Sequence, residues 1–206
     1  TLPTTKSVLF DGTDAFARSN YTNPATTFTL SAWVRLDDTA SGTNYIWDPR
    51  GAAGGVGQAS FSSRVGSFGD ENGKVRFQYY NQGNKLLTNY SYDRGRWYHV
   101  CLVKDGTTSN FYVDGVIKNA NFTDVNTTFA LDGSGNSVFT IGSTFAKSSS
   151  FHGLIDEVTI FSSALTAANV SSLYNDGDPA DPSSLSPSLF YRMGDATVPA
   201  ADGTSN

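Results

Sequence analysis

Cysteine is almost missing: Cys101 is the only one in 206 residues. No internal disulfide can form, so the fold must be held by a core of its own, and the chain is long enough to bury one. Glutamate is nearly as scarce, with Glu71 and Glu157 the only two against many aspartates. Glu is a helix former and Asp a turn and cap residue, so the skew favours β structure. Basic blocks are missing too. The net charge is −5, and no run of Lys or Arg offers a phosphate backbone a basic face, so no nucleic-acid partner is expected. No apolar run approaches the length of a membrane-crossing helix, so no membrane insertion is expected either. No charged-then-apolar leader is visible at the start. Catalytic signatures are absent as well. There is no Gly-x-Ser-x-Gly elbow and no Cys/His cluster for zinc. The glycine loop "DPRGAAGGVG", 48–57, lacks the Gly-Lys-Ser/Thr ending of a phosphate loop and precedes a strand, so it is read as shaping a rim.

What remains is strand and turn material: aromatics at 13%, twenty glycines, and abundant Ser and Thr. Residues 28–36 alternate over nine positions, with Phe28, Leu30, Ala32, Val34 and Leu36 on one face and Thr29, Ser31, Trp33 and Arg35 on the other. That period of two predicts a strand buried on one side. Further strands are expected over 7–10, 15–19, 44–47, 58–64, 74–80, 85–92, 96–103, 110–113, 116–118, 138–142, 152–161 and 189–193. Lys104-Asp105-Gly106 and Asp114-Gly115 are read as hairpin turns. One helix is expected within 163–176, capped by Thr166, with Val170, Leu173 and Tyr174 at helical spacing. About a dozen strands with turn signals every 8–12 residues predict an all-β, two-sheet antiparallel jelly-roll sandwich with one short helix near the C-terminus. Residues 1–194 are read as one domain and 195–206 as a frayed polar tail.

Three stretches in order resemble a known family. They are "SVLFDGTDAF" (7–16), "RWYHVCLVKDGTTSNFYVDGV" (96–116) and "FHGLIDEVTIFSSALTAANVSSLYN" (151–175). They are similar to the Phe-Asp-Gly opening, the Trp-x-His-Val and Tyr-Val-Asp-Gly hairpins, and the Phe-x-Gly-x-Ile-Asp-Glu-Val strand of laminin-G-like, pentraxin-like domains in the concanavalin A-like lectin/glucanase superfamily. The resemblance covers 7–194 and implies a jelly roll. There are departures. Val103 and Lys104 stand where the pentraxin signature continues with Ser/Thr and Trp. The loop "GSTFAKSSS", 142–150, has no carboxylate where the pentraxin calcium loop is acid-rich, so a calcium site of that type is not expected.

Asp156 and Glu157 are adjacent in a strand, so the pleat should send them to opposite faces, where they cannot flank one glycosidic bond. The Glu-x-Asp-x-x-Glu strand of related glucanases cannot exist in a chain whose two glutamates are so far apart. No enzyme is expected. Asp156 is read either as an enclosed acid bonded to backbone N–H groups, or as a ligand of one structural calcium shared with Asp11, or with backbone carbonyls near Gly12, in the Phe-Asp-Gly turn. Glu157 is read as a solvated or hydrogen-bonded surface acid. His99 is read as a packed core histidine and Cys101 as an inert thiol.

The candidate ligand surface is aromatic: Trp47, Tyr79, Tyr80, Tyr90 and Tyr92, beside Asp48, Arg50 and Asn81. Sugars offer C–H faces to rings and hydroxyls to Asp, Asn and Arg. The competing reading is that such rings pack inside the sandwich. Two functions follow. One is a non-catalytic recognition or adhesion module that binds a glycan or a surface protein. The other is a decoration, knob or fibre unit that assembles with other virion or surface subunits, since the "YRMGD" ending also resembles marine phage structural proteins. Either places the chain outside cells, on a cell surface or on a virion.

Overall fold

The computed structural model describes residues 7–19, 27–48, 60–65, 75–81, 84–87, 93–106, 108–118, 139–144 and 146–193, with the backbone alone for 43, 60–65, 75–81 and 84–87. The expected tail, 195–206, lies outside them. The strands are β1 (Val8–Asp11), β2 (Ala17–Ser19), β3 (Thr27–Leu36), β4 (Gly42–Asp48), β5 (Ser60–Val65), β6 (Val75–Asn81) and β7 (Asn84–Leu87). They continue as β8 (Trp97–Asp105), β9 (Thr108–Val113), β10 (Val116–Ile117), β11 (Phe139–Ile141), β12 (His152–Phe161) and β13 (Leu189–Tyr191), with one helix, α1 (Ala167–Tyr174).

Two antiparallel sheets result. The first runs β1-β12-β3-β8-β9-β10, with β13 also paired to β12, and the second runs β2-β11-β4-β5-β6-β7. Leu30, Val34, Val100, Leu102 and Ile155 of the first sheet meet Ile46, Trp47, Phe139 and Ile141 of the second in one core. This is the expected sandwich.

β3 departs from the expectation of one buried side. Thr29, Ser31 and Trp33, on its other face, are buried as well. The reason is a second apolar layer: Cys101, Val103, Tyr112 and Phe161 on the outer face of the first sheet meet Leu165, Val170 and Leu173 of α1 and the segment before it. Each such aliphatic side chain contributes roughly 1.5–3 kcal/mol on burial. Thr29 fixes the approach, since its hydroxyl donates to the Ser163 carbonyl (2.8 Å) and accepts from the Leu165 N–H (3.0 Å). Thr166 caps α1 by accepting from the Asn169 N–H. The helix stops at Asn175, within the expected span, where Asn175, Asp176 and Gly177 all take positive φ. β8 also runs further than its turn signal suggested. Lys104 lies within the strand, paired with Phe28 and Ser109, and is fully enclosed.

The recurring motif residues serve backbone geometry. In Phe10-Asp11-Gly12, Phe10 enters the core, the Asp11 carboxylate accepts from the Thr13 N–H (2.8 Å), and Gly12 takes φ +77. Gly153 sits at φ +151, where a Cβ would lie 2.1 Å from the Arg35 carbonyl oxygen. Asp114 (φ 50) and Gly115 (φ 73) form the two-residue turn with both φ values positive that hairpins prefer.

Gly153→Ala is therefore expected to lose about 3 kcal/mol through strain and overlap together. Gly106→Ala, at φ +55 with open space around the new methyl, should lose only the backbone share, about 1 kcal/mol. Urea midpoints at unchanged m-value measure both.

Candidate functional site

The strand carrying Asp156 and Glu157 does not keep its alternation. The β12–β3 register shifts between Asp156 and Thr159, and Glu157 takes φ 51. Ile155, Val158 and Ile160 all reach the inner core, an offset that only a bulge allows. The expected sorting of the two acids by simple pleat geometry thus fails at Glu157. Nor is Glu157 a solvated surface acid: it is 6% exposed, with Arg192 Nε 3.6 Å from its Oε1. Asp156 is also buried, and its carboxylate accepts the Glu157 N–H at 2.8 Å. Neither carboxylate faces an open cleft.

Asp11 and Asp156 do not fit one shared calcium. β1 pairs Asp11 with His152, four residues along β12 from Asp156, which separates the two by about 13 Å of strand. Calcium ligands sit at about 2.3–2.6 Å from the ion. Asp11 is exposed and occupied by its own turn, whose N–H bonds hold its carboxyl below the usual range. Among the described residues no group of three or more His, Cys, Asp or Glu is arranged for a metal.

The expected aromatic surface is also redistributed. Trp47 is enclosed in the core and Asp48 is fully buried, so neither offers a face to a ligand. The cause at Trp47 is a register shift between Tyr45 and Trp47, after which Ile46 and Trp47 both join the core. Backbone register places Tyr79 opposite Phe61 and Leu86, Tyr80 opposite Ser60 and Lys85, and Asn81 opposite Asn84. Arg50, Tyr90 and Tyr92 lie outside the described residues, as does most of the glycine loop.

A different aromatic site stands on the outer face of the first sheet. Here a depression of about 380 Å³ opens between α1 and the β8–β9–β10 hairpins. Trp33 of β3 forms its floor and is nearly buried. Tyr174, from the last turn of α1, stacks on Trp33 with ring centroids 5.9 Å apart and 22° between planes. Trp97, at the start of β8, forms another wall and keeps part of its surface exposed. Arg96 and Asp114 close one end, with Arg96 Nη2 3.0 Å from Asp114 Oδ2. Gly95 and Gly177 line the remainder. Gly115 lets the hairpin turn touch the helix: a Cβ there would meet Tyr174 Cδ1 at 3.2 Å.

A polar layer beneath sets these groups in place. Asp114 Oδ1 accepts the His99 backbone N–H at 3.0 Å. Burial raises the Asp114 pKa, opposed by that N–H and by the Arg96 charge. The His99 ring lies 5.4 Å from Trp33 and 6.3 Å from Tyr174, and its Nε2 bonds Ser31 Oγ at 2.8 Å. Burial pushes the His99 pKa down to about 3, so the ring stays neutral. Burial likewise pushes the Cys101 thiol far above its usual range.

Trp33 and Trp97 are the residues that the sequence reading missed as a site. For Trp33 a signal was present, since it shares its strand face with Thr29, Ser31 and Arg35; Trp97 carried none, because its face also holds Cys101 and Val103. The β3–β8 register, which pairs Trp33 with His99 and Arg35 with Trp97, brings them together.

The family model described as the concanavalin A-like lectin/glucanases superfamily, of laminin-G type, matches residues 10–171. The chain belongs to this superfamily. Its fold is similar to the heptameric SAP-like pentraxin from Limulus polyphemus, at 18% identity and TM-score 0.64, over 84% of this chain and 82% of that one. It is similar to domain 4 of an extracellular arabinanase from Geobacillus stearothermophilus, solved with arabinotriose, at 21% identity and TM-score 0.57, over 84% and 78% of the two chains. It is also similar to the enzymatically active domain of bacteriophage CBA120 tailspike protein 2, at 12% identity and TM-score 0.67, over 93% of this chain but only 30% of that one. At these identities the likeness is one of fold, which recognition proteins and parts of enzymes share. No curated protein matches this chain in sequence.

The His99 environment yields a signed pH dependence. A folded pKa of about 3 against an ordinary 6.5 means that the unfolded chain binds the proton first. This contribution to stability is complete above pH 6.5 and is lost as pH falls toward 3. From pH 7 to pH 5 the loss should be about 2 kcal/mol. His99→Gln should remove that slope, as read from urea midpoints at the two pH values.

Proposed function

We propose that this chain is a non-catalytic recognition module that binds a glycan, or a surface partner carrying one, outside cells. The observation that carries the reading is the depression floored by Trp33 and walled by Trp97 and Tyr174, with Arg96 and Asp114 at one end. Rings of this kind take the C–H face of a sugar, while the charged pair meets its hydroxyls. The arabinanase domain found with arabinotriose supports a saccharide ligand for this fold. The burial of Asp156 and Glu157 supports a role without hydrolysis. Tyr79, Tyr80 and Asn81 at the β6–β7 edge, together with Arg50, Tyr90 and Tyr92, stay candidates for a second contact surface.

A second reading, a subunit of a virion or surface assembly, is favoured by the likeness to the tailspike domain. The two readings differ in what they leave in solution: a glycan-binding monomer in one, a stable oligomer without sugar binding in the other. Among the described residues no helix is long and apolar enough to cross a membrane.

On a glycan array that includes arabinotriose, the protein is expected to bind at least one oligosaccharide and to return it uncleaved by mass spectrometry. Trp97→Ala should weaken that binding at least tenfold, about 1.4 kcal/mol, with the fold intact by circular dichroism. With Asp11 and Asp156 apart, an excess of chelator should leave the binding isotherm unchanged.

A further inference from the structure

We propose that the depression selects uncharged saccharides, and that the Arg96–Asp114 pair sets this selectivity. The inference rests on the glycan reading above and narrows it to a ligand class. A lone arginine at the end of an aromatic cleft would be a clamp for carboxylates or sulfates. Here its charge is already matched. Arg96 Nη2 lies 3.0 Å from Asp114 Oδ2, and the other oxygen of Asp114 is held by the His99 N–H at 3.0 Å. The acid is therefore fixed from two sides and cannot swing away to expose the guanidinium.

The surrounding charges reinforce the balance. Lys118 acts on Asp114, and Asp176 acts on Tyr174 from the helix end. With Arg96 and Asp114 these make two cations and two anions. Arg35, next along, donates to the Gly95 carbonyl at 2.7 Å and lies in the field of Asp37. An acidic sugar would approach a chain of net charge −5 and would lose its hydration for no net attraction. A neutral sugar has no such loss. A guanidinium carries five N–H donors, and the Arg96 side chain is 55% exposed, so donors beyond the one on Asp114 face solvent and suit hydroxyl oxygens.

Asp114→Asn is the discriminating variant. Asn tolerates the positive φ at this position and keeps an oxygen for the His99 N–H, while removing the negative charge. The probes are neutral cello- and xylo-oligosaccharides against oligouronates of equal length, by calorimetry at low and moderate salt. The wild-type protein should bind the better neutral probe at least tenfold tighter than any oligouronate. Asp114→Asn should narrow that ratio at least tenfold, and added salt should reverse the gain. Arg96→Gln, at an exposed position, should weaken neutral binding severalfold with no gain for the acids. Equal or tighter wild-type binding of oligouronates would overturn the inference. So would a folded Asp114→Asn protein with an unchanged ratio, or unaltered neutral binding in Arg96→Gln. Sugar binding that ignores charge sinks this inference and leaves the glycan reading standing. Binding of neither class sinks both.

Discussion

Both faces of the first sheet carry apolar side chains that have to be covered. The inner face is met by the second sheet. The outer face, with Cys101, Val103, Tyr112 and Phe161, needs a cover of its own. The segment after β12 supplies it, because Thr29 holds its turn and Thr166 starts a helix whose Val170 and Leu173 point inward. Everything at the candidate site follows from that docking. The helix ends where Tyr174 reaches Trp33, and its left-handed stop at 175–177 leaves the aromatic floor open at one side.

The residues of the recurring motifs serve the fold. Phe10, Gly12, Gly153, Ile155 and Gly115 are committed to core volume or to backbone shapes that few other residues allow. Among them Gly115 alone borders the candidate site, beneath Tyr174. The groups that a ligand could meet, Arg96, Trp97 and Tyr174, sit at the ends of elements. There a substitution alters the surface without moving the ladder beneath.

Much of the fold was legible in the sequence. Alternation over 28–36 marked the central strand, Asp114-Gly115 marked the β9–β10 hairpin, and Thr166 marked the helix start. The candidate site was less legible, for three physical reasons. The bulge at Glu157 has no sequence mark, since glutamate is not a residue that favours positive φ. The shift before Trp47 turned a ring that looked peripheral into core. Finally, whether a polar strand face meets water or a helix depends on where a segment some 130 residues later comes to rest. Period-two reading along one strand carries no information on that.

Cys101 gives this architecture a built-in reporter. It is the chain's single thiol, it is fully enclosed, and burial keeps it from ionising. It lies in the outer layer under α1 rather than between the sheets. Alkylating reagents attack the thiolate, so labelling has to wait until the helix lifts. The rate of modification would therefore time the breathing of the wall that bears Tyr174, separately from global unfolding, and without any engineered probe.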